Sequence, residues 1–181
     1  MHQRRIIRDA IAAQLIGKTA AGPRVTRARV DPHQRRLLPA ISVYTPSESV
    51  DPDSMTRRPR ELTRELAVEI VGWVAHSEAN PAIEALDDLA EQIEAVIDID
   101  PYLGGAAGLG GAVLQSTEVK IEGEDNSDLL VGVVVLTYTV PYVTSPAATA
   151  ELAEFLRAGV TTVVDGATVD NAANDVIEVR Q

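Results

Sequence analysis

Apolar residues recur along this chain with two different periods, and the changes of period mark its elements. Ile7, Ile11 and Leu15 stand at i, i+4 and i+8, with Arg4, Arg5 and Arg8 elsewhere on the turn. Residues 4–16 are therefore expected to form an amphipathic helix of three turns, ended near Gly17. Residues 24–30 read as a short strand. Residues 38–45 read as a second one, in which Ala40, Ser42 and Tyr44 alternate with Ile41 and Val43. Ser, Pro and Asp dominate residues 46–59, which are expected to be a mobile loop closed by Arg57, Arg58, Pro59 and Arg60.

The strongest strand signal covers residues 62–75. Leu66, Val68, Ile70 and Val74 share one face there, and Thr63, Glu65 and Glu69 share the other. Asn80 and Pro81 supply a cap and a first-turn proline. The helix they open carries Ile83, Leu86, Leu89, Ile93 and Val96 on one stripe, with Glu84, Asp87, Asp88, Glu91 and Glu94 around the rest, and stops at Asp100-Pro101. A glycine-rich connector at residues 104–111 leads to a strand at 113–122. The polar turn 123–128 then joins it to a long apolar strand at 129–142. These two strands are expected to form a hairpin with a polar first arm and a more buried second arm.

That order of elements predicts an α+β domain over residues 1–145: a mostly antiparallel sheet of about five strands with two helices packed on one face. Residues 146–181 are expected to be a small C-terminal extension, with a short helix at 147–158 and weak strands near 161–164 and 176–179. It is either an appended subdomain or an arm that orders on a partner.

Bulk composition narrows the function classes. The chain has 181 residues, 45% of them apolar and 3% aromatic, so its core is built from aliphatic side chains. A chain of this length buries roughly 70% of its extended surface. With no Cys, disulfides, thiol catalysis and cysteine metal sites are excluded. No run approaches the ~20 apolar residues of a membrane-spanning helix, and Arg8 and Asp9 interrupt the apolar run that could suggest a signal peptide. The protein is expected to be soluble and made inside the cell.

Charge is laid out unevenly. Residues 1–64 hold thirteen Lys and Arg against six Asp and Glu, a net of +7. Residues 65–181 hold three against twenty-one, a net of −18. Such a molecule can stack on copies of itself, positive side to negative side. Arg27, Arg29, Arg35, Arg36, Arg57, Arg58, Arg60 and Arg64 are the expected subunit or partner interface, because arginine pairs bidentately with carboxylates. The same region could instead neutralise nucleic-acid phosphates. Against that stand a total charge of −11 and Tyr44 as its only aromatic.

Candidate chemistry is sparse. His2, His33 and His76 have no metal-ligand spacing, and surface positions suit them better. Residues 104–111 (GGAAGLGG) follow a helix, have no Lys-Ser/Thr and miss the G-x-G-x-x-G spacing, so a flexible linker or lumen-facing loop is expected rather than a phosphate loop. Asp98 and Asp100 could hold a divalent ion, but a solvated helix end is the simpler account. No cofactor, metal or catalytic residue is expected.

In order along the chain stand RRIIRDAIAAQL, GPRVTRARVDP, LPAISVYTPSE, a basic loop, RELAVEIVGWV, LDDLAEQIEAVI and a closing hairpin that ends on LTYTVPYVT. Over residues 2–145 this resembles the tail terminators, minor tail proteins of long-tailed bacteriophages. The resemblance implies a non-enzymatic virion protein, assembled in the host cytoplasm. It would form a hexameric ring at the head-proximal end of the tail tube, end tube polymerisation and present the surface that joins the head. Its partners would be copies of itself, the tail tube protein and a head-completion or neck protein. DNA would pass through the lumen without specific binding, and no membrane would be involved. Carboxylates lining such a lumen would repel phosphates; Glu122, Glu124, Asp125 and Asp128 are the candidates. The nearest alternative is another tail-completion or neck protein.

Overall fold

The computed structural model describes residues 2–27, 37–56, 61–108, 110–122 and 130–145. All of them fall within one unit, Met1–Pro146. Helix α1 (Gln3–Leu15) starts where the His2 side chain accepts a hydrogen bond from the Arg4 amide, 3.2 Å through Nδ1. It buries Ile7, Ile11 and Leu15 completely, and Gly17 follows with a positive φ of 72°.

Strand β1 (Val25–Thr26) is shorter than the strand expected at 24–30, and residues 28–36 lie outside the described set. β2 (Ala40–Tyr44) follows. The loop expected at 46–59 contains a strand, β3 (Glu48–Val50), and a 3-10 turn, Pro52–Thr56. Extended backbone at Glu48–Val50 has an available partner in Arg64–Leu66, and this pairing overrides the polar, proline-rich composition of the segment.

β4 (Leu62–His76) and β6 (Leu130–Thr144) pair antiparallel over all fifteen residues and form the middle of the sheet. β5 (Val113–Glu122) pairs β6 antiparallel as the expected hairpin, with a register irregularity between Leu114 and Ser116. The strand order is β1-β2-β4-β6-β5, with β1 parallel to β2. β6 occupies one side of β4 throughout, so β2 and β3 lie end to end along the other. The architecture is α+β: a mostly antiparallel six-stranded sheet with two helices, one strand more than expected.

Both helices pack on one face. The even-numbered residues of β4 and β6 (Leu66, Val68, Ile70, Val134, Leu136, Tyr138, Val140) meet Ile7, Ile11 and Leu15 of α1 and the apolar side of α2 (Ala79–Ile99). α2 starts one residue before the expected Asn80. Glu78 holds the cap position without a side-chain hydrogen bond, and Asn80 and Pro81 fall inside the first turn. Proline is tolerated there because first-turn N–H groups have no intrahelical acceptor. The buried stripe runs through Ala82, Leu86, Leu89, Ile93, Val96 and Ile97, and the expected Ile83 is exposed one position off it.

Two glycines decide how close α2 can come. A Cβ at Gly72 would stand 2.7 Å from Leu89 Cδ2, and one at Gly132 would stand 2.6 Å from Leu86 Cδ1. Gly72 faces Val134 across the ladder and Val74 faces Gly132, so the two notches lie side by side under the helix. Burying two leucines in these notches supplies close packing that any larger side chain would push apart.

The connector after α2 is not a free linker in its described part. Leu103 and Ala107 are buried, and the Gly108 amide donates 3.0 Å to the Pro141 carbonyl of β6. A Cβ at Gly108 would meet that carbonyl oxygen at 2.6 Å. Small residues are there because the loop lies directly on a strand.

Candidate assembly interface

The uneven charge of the sequence becomes a division between the two helices. α1 carries Arg4, Arg5 and Arg8, with Asp9 as its only acid; Arg5 is exposed, whereas Arg4 and Arg8 are half-buried and Arg4 Nη2 donates 2.9 Å to the Thr45 carbonyl. α2 contains no basic residue; Glu84, Asp87, Asp88, Glu91 and Asp98 are exposed along it and Glu94 is half-buried. The helices touch each other over the same sheet face. One side of that layer is cationic and the other anionic.

Among the expected interface residues, Arg27 and Arg64 are described. Arg29, Arg35, Arg36, Arg57, Arg58 and Arg60 lie outside the described residues, as do Glu124, Asp125 and Asp128. Glu122 ends β5, and only its backbone is described. Arg27 is half exposed, with its Nε 3.6 Å from Asp9 Oδ1; Arg5 Nε is also 3.6 Å from that carboxylate, at Oδ2. One acid thus sits between two arginines, and the local balance stays positive. Exposed pairs of this kind add about 0–1 kcal/mol each, so both guanidiniums can exchange partners at little cost.

Arg64 is held differently. Its Nη1 lies 3.3 Å from Glu48 Oε2 and its Nε donates 3.0 Å to Thr144 Oγ1. Glu48 also accepts from the Tyr142 hydroxyl. The side chains of Glu48 and Arg64 are 11% and 23% exposed, and Tyr142 is buried. This cluster locks β3 and β6 onto β4 from opposite sides, and the Arg64 charge is used inside the subunit. A similar tie on the other face joins β2 to β4, where the Tyr44 hydroxyl donates to Glu69.

Of the remaining sequence candidates, Asp98 is exposed on α2, and Asp100, His2 and His76 take structural roles. Asp100 Oδ2 accepts from Gln14 Nε2 at 3.1 Å and from the Gly104 amide at 2.6 Å, tying α1 to the end of α2. His2 caps α1, and His76 Nδ1 accepts from the Glu78 amide at 3.3 Å; His33 lies outside the described residues. Among the described residues, no three His, Asp or Glu side chains are placed to share a metal ion, and no helix is long and apolar enough to cross a membrane. Tyr138 is buried on β6 with no hydrogen-bond partner for its hydroxyl. Burial, then the charges of Glu94 and Asp98, hold its phenol well above the usual range.

Three features carry no signal as candidates in the sequence. The exposed acids of α2 read as a merely solvated side until α1 is placed beside them. On the sheet face away from the helices, Val71 and Trp73 are also buried, Trp73 to 8% exposure. The third is β5, whose described side chains from Val113 to Lys120 are all exposed at the edge of the sheet.

No family model matches the chain, and no curated protein matches it. Among solved structures it is similar to a chain of the "Virion of native gene transfer agent (GTA) particle", with 14% of residues identical, 75% of this chain and 94% of that chain covered, and a TM-score of 0.37. At that score the likeness carries no argument about function.

Proposed function

We propose that this protein is a structural virion component, a tail terminator. In this reading six copies close into a ring at the head-proximal end of the tail tube, stop its growth and offer the head-joining surface. Copies of the chain, the tube protein and a head-completion protein are its partners; DNA crosses the lumen unbound, and the protein has no catalytic role. The order of segments over residues 2–145 raises this reading. The observation that carries it is the pairing of a cationic α1 with an anionic α2 on one face of the sheet. A ring built by rotation needs two different, complementary surfaces on each subunit, and opposite charges at the two ends of one layer meet that requirement.

The reading is tested by the mass of the purified protein and negative-stain images, alone and mixed with tube protein. A six-fold ring with a central hole, free or on tube ends, is the expected result. A twelve-fold ring would instead make it a head-side connector, and a protein that forms no ring and leaves tube length unchanged would overturn the reading. If the acids of α2 supply the anionic side, Asp87→Lys with Glu91→Lys lowers ring formation at least about ten-fold while circular dichroism stays unchanged. The extension at 146–181 is proposed to be separable, so a chain ending at residue 145 should remain soluble and folded.

A further inference from the structure

β5 is a ten-residue edge strand, and among the described residues no strand pairs its outer side. Its outward N–H and C=O groups therefore form a template for another strand. Edges are commonly protected by shortness, proline, bulges or charge. β5 is long and has no proline; its register irregularity lies near its start, so Ser116–Glu122 runs regularly. Val113 and Val119 are 47% and 41% exposed along it. Among the described residues, charge is the one remaining guard, and its pattern selects a partner.

On the face away from the helices, the register places Glu118, Lys120 and Glu122 opposite Val135, Val133 and Val131. Two copies of this strand laid antiparallel about a two-fold axis keep like faces together, so only registers centred on a residue are allowed. Centring on Lys120 sets Lys120 against itself and Glu118 against Glu122. Centring on Glu118 sets two carboxylates together. Centring on Ile121 runs the overlap off the end of β5. Centring on Val119 pairs Glu118 with Lys120 twice, stacks Thr117 against Ile121, and uses the whole of Ser116–Glu122. Lys120 Nζ already lies 3.2 Å from Glu118 Oε2 within the strand; a second copy extends that pair into an alternating row.

We propose that the free protein pairs with a second copy of itself through β5, antiparallel and centred on Val119, joining two sheets into one. The pairing does not rest on the virion reading and holds whether or not a ring forms. A net charge of −11 on each copy opposes it at low salt, so it is strongest where charges beyond about 8 Å are screened, near 0.15 M.

The chain has no Cys, so one introduced thiol reports one position. In an antiparallel pair, facing Cα atoms lie about 4.5–5.5 Å apart, within disulfide reach. The full-length Val119→Cys variant should therefore form a covalent dimer under mild oxidation at least about ten-fold faster than Val113→Cys. Both sites are comparably exposed, but in this register two copies of residue 113 stand roughly 40 Å apart. Lys120→Glu added to Val119→Cys should slow cross-linking at least about five-fold, and Glu118→Lys added to both should restore it. Equal rates for the two cysteines, as random collision or head-to-tail edge pairing would give, overturn the proposal. So does a charge reversal without effect, or a wild-type chain that sediments as a monomer at every concentration up to the millimolar range. Circular dichroism of each variant separates these outcomes from misfolding.

Discussion

The two arms of the closing hairpin share a ladder and live in different solvents. β6 is buried at every second residue from Gly132 to Tyr142 and is flanked by strands on both sides. β5, hydrogen-bonded to it along most of its length, is exposed on both faces up to Lys120. Both arms are rich in β-branched residues, so propensity does not separate them. Position does: β6 lies under α2, whereas β5 lies toward the rim of the helix layer, meeting α2 where Thr117 Oγ1 stands 3.4 Å from Glu94 Oε1. A strand's energetic weight thus comes from what covers it, and its availability to a partner comes from what does not.

Substitutions in the buried arm should have the largest effects. Gly132→Leu drives a branched side chain into Leu86 and Val74, and should cost about 3 kcal/mol or more, with partial loss of folding. Leu136→Ala, which leaves a cavity in a fully buried site, should cost about 2–5 kcal/mol in urea denaturation. If either change proves neutral, α2 does not sit on β6 as described.

A smaller effect is expected where a strand is held by charge. Arg64→Ala leaves the mostly buried Glu48 carboxylate with Tyr142 as its remaining partner, and should cost about 1–3 kcal/mol. Arg5→Ala removes only an exposed pair and should shift stability by less than about 1 kcal/mol. Equal effects would mean that Arg64 is free to serve a neighbour.

Tyr138 extends the contrast between covered and uncovered positions to pH. Its folded-state affinity for the proton exceeds that of the unfolded chain, so its contribution is complete below pH ~10 and is lost as pH rises further. Tyr138→Phe should be neutral or stabilising by up to about 1 kcal/mol near neutrality, since it removes an unpartnered buried hydroxyl. It should also flatten the alkaline fall in stability, and an unchanged alkaline limb would show that another group controls it. The smallest effect belongs to the edge: Val119→Ala should change monomer stability by less than about 0.5 kcal/mol.

Much of the fold was legible because its signals are periodic. Leu62–His76, Val113–Glu122 and the α1 stripe of Ile7, Ile11 and Leu15 appear within a residue or so of their expected bounds. The departures lie where a tertiary partner outweighs local composition. Glu48–Val50 forms a strand because β4 has a free edge there, and the glycine connector is docked on Pro141. Candidate interface residues are harder still. Side-chain charge is written in the sequence, but its partner is not: Arg27 keeps an exposed, exchangeable contact, whereas Arg64 closes on Glu48 of the neighbouring strand.

Residue type and spacing were enough for the α+β class, the aliphatic core and the division of charge between the first third of the chain and the rest. Those properties need no folded context, because period and composition are local. Folding was required to show which arginine is used internally, which glycines admit α2, and which strand is left at the edge. Each of those depends on contacts between residues distant in the chain, and the sheet's register sets which of them meet.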